Sequence, residues 1–341
     1  VQNAKGKMVR RGKAVLLDSK ARDAILATTM SASRQNTADS AEDPKTRAQS
    51  PRRRRERIGI IGAGRVGSAL AWHCHRLGYG IAGVADNRPK QAWVVYGLLK
   101  LPYRRMGTCE VAAESDVLFI TTLDGSIEPE FQAIRRLLTP GSIVAHCSGA
   151  MGTDAFKGAI AQGLDTLALH PVQAFASHAQ AIRTLPGSFF AVEGTARGLK
   201  FARKLVRGLR GSCVVVKGQD RPLYHAACVF GSNFINGLLD AAEVTAGKLG
   251  ISRRKAARIF VPLARAVLDN VAESGATQSL TGPVQRGDWE TVARHLVSLR
   301  ERVPELVQVY RVLSLRLVEL ARRGGLDSSA ARRLRRILEE P

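Results

Sequence analysis

Apolar residues first fall into a regular rhythm at 58–61, where a short run leads straight into Gly62-Ala63-Gly64-Arg65-Val66-Gly67 and then into a helical pattern ending near Leu77. Runs of strand length recur at 81–85, 117–122, 142–145, 166–169, 189–192 and 213–216, with helix-compatible segments between most of them. Such alternation predicts an α/β domain built on a mostly parallel sheet. After Lys217 the pattern changes to long stretches of helical period at 223–249, 253–274, 289–300, 304–323 and 328–338. A second, all-helical domain is expected there, and no fixed-period repeat is visible. Residues 1–57 carry no periodic apolar pattern. The expected organisation is a disordered basic extension over 1–57, an α/β domain over 58–217 and a helical domain over 218–341.

At 341 residues the chain has room for two ordinary domains. Hydrophobic residues make up 45% and charged residues 24%, which excludes a wholly disordered, collagen-like or coiled-coil chain. No run approaches the roughly 18 consecutive apolar residues of a membrane-spanning helix. The net charge of +23 at first points to nucleic acid. However, 15 basic against 6 acidic residues in 1–57 concentrate +9 of that excess in the extension. Aromatics are only 5%, so there is no platform for stacking bases, and a nucleic-acid partner is not expected. The five cysteines, Cys74, Cys109, Cys147, Cys213 and Cys228, form no CxxC pair. They argue against both a disulfide framework and a zinc site, and fit a reducing cytoplasm. His73, Cys74 and His75 are adjacent, but neighbours on a helix point in different directions, so no metal site is expected there.

GxGxxG alone is a weak signal, yet here it follows a strand, opens a helix and precedes a second strand that ends in an acid. Gly62 permits the tight turn, Gly64 lets the backbone approach a pyrophosphate, and Gly67 allows close helix packing. Ala63, Arg65 and Val66 complete the loop, whose helix start offers unpaired N–H groups to phosphates. A doubly wound, Rossmann-like domain that binds NAD or NADP follows from this context. At the tip of the second strand Asp86 can accept hydrogen bonds from a ribose and repel a 2′-phosphate, whereas Arg88 can pair with that phosphate. Asp86 tips the balance slightly to NAD.

Several further motifs carry a resemblance: HCSGA at 146–150, HPVQAF at 170–175, FAVEG at 190–194, YHAACVFGSNF at 224–234 and LTGPVQRGD at 280–288. From Ile58 to about Tyr310 the chain resembles the Rossmann-like proteins with a C-terminal helical domain of unknown function. These are relatives of ketopantoate reductase, pyrroline-5-carboxylate reductase and the 3-hydroxyacid dehydrogenases. The resemblance implies a nicotinamide-dependent reductase fold and leaves the substrate open.

Ligands of doubly wound sheets bind beyond the carboxyl ends of the strands, which singles out Ser148 and His170. The resemblance implies a substrate-binding role for Ser148, as in hydroxyacid dehydrogenases, against the plainer reading of a turn serine. It likewise favours His170, since related prephenate dehydrogenases have a similar His-Pro pair; a histidine that only bonds a loop carbonyl is the alternative. Along the first long helix of the second domain, at 100° per residue, His225, Ser232 and Asn236 share one stripe flanked by Asn233. That stripe faces either a partner domain or solvent. The resemblance implies a proton donor and an asparagine on this helix, with His225 standing where related reductases use lysine. Arg286, between Gly282-Pro283 and Gly287, can clamp a carboxylate with two parallel hydrogen bonds, unless it is merely solvated. Asp288 is expected to cap the next helix, and His178 and His295 are expected to be structural.

These signals together lead us to expect a cytoplasmic, NAD(P)-dependent oxidoreductase acting on a small 2-oxo or imino acid, ketopantoate-like in type. The helical domain is expected to pair two chains into a homodimer. A non-catalytic dinucleotide sensor or protein-binding module is the competing reading.

Overall fold

The computed structural model describes residues 56–340. The basic extension expected over 1–57 therefore lies outside the described residues except for Glu56 and Arg57, and Arg57 opens the first strand. Seven strands form one sheet: β1 (Arg57–Ile61), β2 (Gly80–Ala85), β3 (Val117–Ile120), β4 (Ile143–His146), β5 (Asp165–Pro171), β6 (Phe189–Gly194) and β7 (Ser212–Val215). Their order is β2-β1-β3-β4-β5-β6-β7. Every pair is parallel except β5 with β6, which runs antiparallel with His170 opposite Ala191.

The run VLFI of β3 has no polar position because both of its faces are covered. Val117 and Phe119 join one apolar core with Ile58, Ile60, Ile143 and Leu167. Leu118 and Ile120 join the other with Ile61, Val144 and Phe131. The covering helices are α1 (Arg65–Arg76), α2 (Pro89–Leu99), α3 (Thr108–Ala113), α4 (Asp124–Ile134), α5 (His178–Thr184) and α6 (Ala196–Gly208). The strand order reverses at β1, so the carboxyl ends of β1, β2 and β3 bound the crevice in which such sheets take ligands.

Helices then continue as α7 (Arg221–Phe230), α8 (Asn233–Gly247), α9 (Arg253–Gln278), α10 (Pro283–Arg286), α11 (Trp289–Arg302), α12 (Val307–Arg323) and α13 (Ser328–Glu339). The described residues divide into two compact units, one ending at Ala226 and the other beginning at Ala227, so the division falls within α7. In the second unit Val284, Val292, Leu296, Val318, Leu334 and Leu338 form a buried core. Asp288 caps α11 as expected, accepting from the Thr291 N–H at 3.0 Å.

One expectation needs correcting. The single helix read over 223–249 is two helices, α7 and α8, separated at Gly231 and Ser232. Ser232 has φ −139° and ψ −74°, outside the helical region, and its hydroxyl bonds back to the Cys228 carbonyl. Gly, Ser and Asn in succession are poor helix formers, because glycine is flexible and the other two compete for backbone bonds. The break destroys the common stripe of His225, Ser232 and Asn236.

Candidate active site

The glycine loop has the geometry that its three glycines require. Gly62 has φ +96°, and a Cβ there would sit 2.8 Å from the Thr121 backbone. A Cβ on Gly67 would lie 2.1 Å from the Gly62 carbonyl oxygen, so α1 can approach β1 only with glycine at this position. A Cβ on Gly64 would meet nothing within 4 Å. Gly64 is thus not required by the protein's own packing; its bare backbone faces open space. The Thr121 hydroxyl donates to the Gly62 carbonyl at 2.6 Å and fixes the loop to the end of β3.

Asp86 follows β2 and binds the loop directly. Its carboxylate accepts from the Ala63 N–H and from the Arg88 N–H, each at 2.8 Å. The Asp86 side chain is only 6% exposed, while that of Arg88, 3.7 Å from it, is 70% exposed. A groove of about 1200 Å³ runs along these residues, lined among others by Gly64, Arg65, Val66, Asp86, Arg88 and Thr122. Arg65 reaches across to donate to the Phe175 carbonyl at 2.6 Å. His178, read from sequence as structural, also lines this groove, and its Nε2 is buried without a hydrogen-bond partner. The open face over Gly64 at the start of α1 and the extent of the groove fit a dinucleotide.

A second group of polar residues assembles beyond β4 and β5. Ser148 donates to Asp124 at 2.8 Å and accepts from the Ala150 and Met151 N–H groups, both at 3.2 Å. Its hydroxyl shapes the turn after β4. His146 is fully buried; its Nδ1 accepts from the Ser148 N–H, so Nε2 carries the proton and donates to the Gly152 carbonyl at 2.9 Å. Burial pushes this imidazole down to about 4, so it is neutral at physiological pH.

His170 and His225 meet over Gly149. A Cβ on Gly149 would stand 2.6 Å from His225 Nδ1 and 2.9 Å from His170 Nε2. The two ring centroids are 6.2 Å apart and nearly perpendicular. His225 Nδ1 is buried with no hydrogen-bond partner, an unusual state for a polar atom away from water. His170 Nδ1 lies 2.8 Å from the Tyr224 hydroxyl. Burial, and next the proximity of His225 and Arg221, hold His170 down at about 4. His225 on α7, His170 near the end of β5 and the turn after β4 that carries Ser148 and Gly149 are therefore close together.

The residue that fixes this arrangement, Arg221, is not among the sequence-based candidates. Its side chain is fully buried and donates to Glu193 at 3.2 Å, to the Ser148 carbonyl at 3.2 Å and to the Ala191 carbonyl at 3.4 Å. Glu193 in turn accepts from the Gly218 and Thr153 N–H groups. One guanidinium thereby joins the first turn of α7, strand β6 and the turn that carries Ser148 and Gly149. Burial lowers its pKa, which the Glu193 charge opposes. Glu193 and Tyr224 lie inside the FAVEG and YHAAC motifs, the only sequence signal that marks them.

Asn233 and Arg286 belong to the second unit. Asn233 opens α8, where its Oδ1 accepts from Ser232 Oγ at 3.0 Å. Arg286 is exposed at the end of the one-turn α10, followed by Gly287 at φ +72°. His295 bonds the Tyr310 hydroxyl at 2.8 Å. His73 bonds the Ile182 carbonyl at 2.8 Å, a packing contact between α1 and α5. Among the described residues no group of three or more His, Cys, Asp or Glu side chains is arranged to hold a metal ion. No helix among them is long and apolar enough to cross a membrane.

Two family models match the chain: a Rossmann-like domain over residues 41–171 and the domain of unknown function DUF2520 over residues 188–317. No curated protein matches the sequence. Among solved structures, the chain is similar to a candidate NADP oxidoreductase from Bacteroides fragilis, with 21% identity and a TM-score of 0.64. That match covers 76% of this chain and 96% of the other. It is similar to a protein from Thermotoga maritima at 22% identity and a TM-score of 0.60, covering 78% and 98% of the two chains. A 1-pyrroline-5-carboxylate reductase from Streptococcus pyogenes shares 16% identity with a TM-score of 0.53, covering 83% and 97%. These likenesses establish a common fold.

Proposed function

We propose that this chain, which matches models of a Rossmann-like domain and of a DUF2520 domain, is an NAD(P)-dependent oxidoreductase reducing a small 2-oxo or imino acid. The observation that carries this reading is the pairing of two features at the carboxyl edge of one sheet. One is a glycine loop whose middle glycine faces open space in a groove of about 1200 Å³. The other is a pair of imidazoles converging over Gly149. The names of the similar Bacteroides and Streptococcus proteins support the same class of chemistry.

In this reading Gly62, Ala63, Gly64, Arg65, Val66 and Gly67 hold the pyrophosphate, and Asp86 and Arg88 meet the adenosine ribose. The bound dinucleotide supplies a hydride to the oxo or imino carbon. His225 and His170 hold the substrate's polar atom and manage its proton, and Ser148 keeps the Gly149 turn in place beneath them. In the second unit, Arg286 is exposed and has the planar fork that clamps a carboxylate with two parallel bonds. The negative charge of Asp86 in the groove wall favours NAD over NADP, with exposed Arg88 as the counterweight.

Assembly as a homodimer is part of the proposal. Ile259, Leu263, Val267 and Leu268 of α9, with Val309, Val312 and Leu313 of α12, are more than two-fifths exposed. So much apolar surface on one helical unit is the usual mark of an interface. Fluorescence titration with NADH and NADPH, followed by absorbance assays with a panel of 2-oxo and cyclic imino acids, tests the function. Dinucleotide binding without oxidation by any member of the panel would favour a non-catalytic sensor.

A further inference from the structure

We infer that Arg65 and the segment 172–177 form a clasp on the dinucleotide groove, in which one guanidinium grips the Phe175 carbonyl with one donor and the cofactor's diphosphate with others. The clasp rests on the reductase reading for its dinucleotide, and it gives the HPVQAF motif a task beyond His170. The segment leaves β5 after Pro171 and ends at Ser177, whose hydroxyl caps α5 by accepting from the Gln180 N–H at 3.2 Å. Ala176, Ser177 and His178 line the groove together with Gly64, Arg65 and Val66. The segment is therefore a wall of the same groove onto which the glycine loop opens.

Few bonds hold this wall. The Val172 N–H reaches the Phe189 carbonyl of β6 at 2.8 Å, and the Phe175 ring is half-buried against the core that α1 covers. The other backbone N–H bonds are local. Gln173 donates to the Pro171 carbonyl at 2.9 Å, Ala174 to the Gln173 side chain at 2.9 Å and Ala176 to the Gln180 side chain at 2.6 Å. The Phe175 carbonyl is different: it accepts from Arg65 Nη1 at 2.6 Å, across 110 positions of sequence. Among the described residues this is the one hydrogen bond between the segment and the glycine loop.

Arg65 stands where a cation is costly unless an anion joins it. It is the first residue of α1, whose first turn holds no acid, and a cation there faces the positive end of the helix dipole. None of the ion pairs among the described residues uses it. A guanidinium carries five N–H donors in a planar fork, and the Phe175 bond occupies one of its nitrogens. A diphosphate beside the start of α1 supplies the missing negative charge and acceptors for the remaining donors. Such bonds are charge-assisted on both sides, and stronger than the bond to a neutral carbonyl. Gripped from two directions, the guanidinium holds the segment down while the dinucleotide stays, so the clasp acts chiefly on cofactor release.

The test reads the segment and the cofactor separately, in the whole chain. Hydrogen–deuterium exchange over 172–178 is expected to slow by about tenfold when NADH or NADPH binds, the factor that one hydrogen bond to a charged group confers. In Arg65→Ala this slowing should vanish, and the dinucleotide should bind about tenfold more weakly, through faster release in stopped-flow fluorescence. Arg65→Lys should recover part of the affinity but not the slowing, since a compact ammonium lacks the fork. Slowing that survives in Arg65→Ala, or returns in full with Arg65→Lys, overturns the clasp and leaves the reductase reading standing. A wild type that binds dinucleotide with no slowing does the same. A wild type that binds neither NADH nor NADPH removes the reductase reading and the clasp with it.

Discussion

The two imidazoles packed over Gly149 give the most direct check on the site, through Gly149→Ala. The new methyl would stand 2.6 Å from His225 Nδ1 and 2.9 Å from His170 Nε2, while ordinary contact begins near 3.4 Å. His225 must therefore move by 3.4 − 2.6 = 0.8 Å and His170 by 3.4 − 2.9 = 0.5 Å, unless the turn itself shifts. Gly149 does not have a positive φ, so alanine suits the backbone and the whole effect comes from the two rings. A displacement of about 1 Å in a reacting group costs about 10²-fold, so kcat should fall by roughly 10- to 10²-fold. Overpacking of this kind also destabilises by about 1–3 kcal/mol. Steady-state kinetics, urea unfolding and NADH titration on the same variant separate these effects, and dinucleotide affinity should not change. Wild-type kcat in Gly149→Ala would mean that the imidazoles do not meet the substrate at this point.

Four other outcomes are expected. Gly64→Val should abolish NADH binding in a fluorescence titration with no loss of thermal stability, because a Cβ there touches no protein atom; a stable variant that still binds would remove the pyrophosphate assignment. Glu193→Gln should destabilise the first unit by about 3 kcal/mol in urea unfolding, since it strands the buried Arg221 charge; a change under about 1 kcal/mol would show that the pair does not hold the site together. His146 and His170 each take a proton near 6.5 when unfolded and near 4 when folded. The unfolded chain thus binds more protons between those values, and stability should be full above pH 6.5 and fall toward pH 4, by up to about 1.4 kcal/mol per unit for each histidine. A denaturation midpoint that is flat over that range would contradict their burial as neutral rings. The double variant Leu263→Glu, Val267→Glu should be a monomer by light scattering where the wild type is a dimer, and a monomeric wild type would end the dimer proposal.

Much of the fold can be read from the sequence because its signals are local. Each of the seven apolar runs becomes a strand, with ends displaced by two residues at most; the central strands are apolar throughout because both of their faces are covered, whereas β7 at the edge is largely exposed. The glycine loop is equally legible, as its three glycines answer three separate steric demands within six residues. Helix continuity across Gly231 was not. Apolar periodicity persists through 223–249, and only the weak helix propensities of Gly231, Ser232 and Asn233 hint at the break that separates His225 from Asn236.

The candidate site was legible only to the extent that it follows strand ends. Ser148 is found because a residue just after a parallel strand must lie at the ligand edge of the sheet; His170, read from sequence as following a strand, is the penultimate residue of β5. Arg221 could not be found in this way: it is one of many arginines, and nothing in its neighbours foretells complete burial. Its importance is energetic. A guanidinium taken out of water is tolerable only with its donors satisfied, and here Glu193 and two backbone carbonyls accept from it. That requirement ties the start of α7 to β6 and to the Ser148 carbonyl, and α7 then has no freedom to place Tyr224 and His225 anywhere but beside His170. The histidine pair over Gly149 is thus a consequence of one buried charge, and any substitution that relieves Arg221 of its partners should loosen the imidazoles before it disturbs the glycine loop.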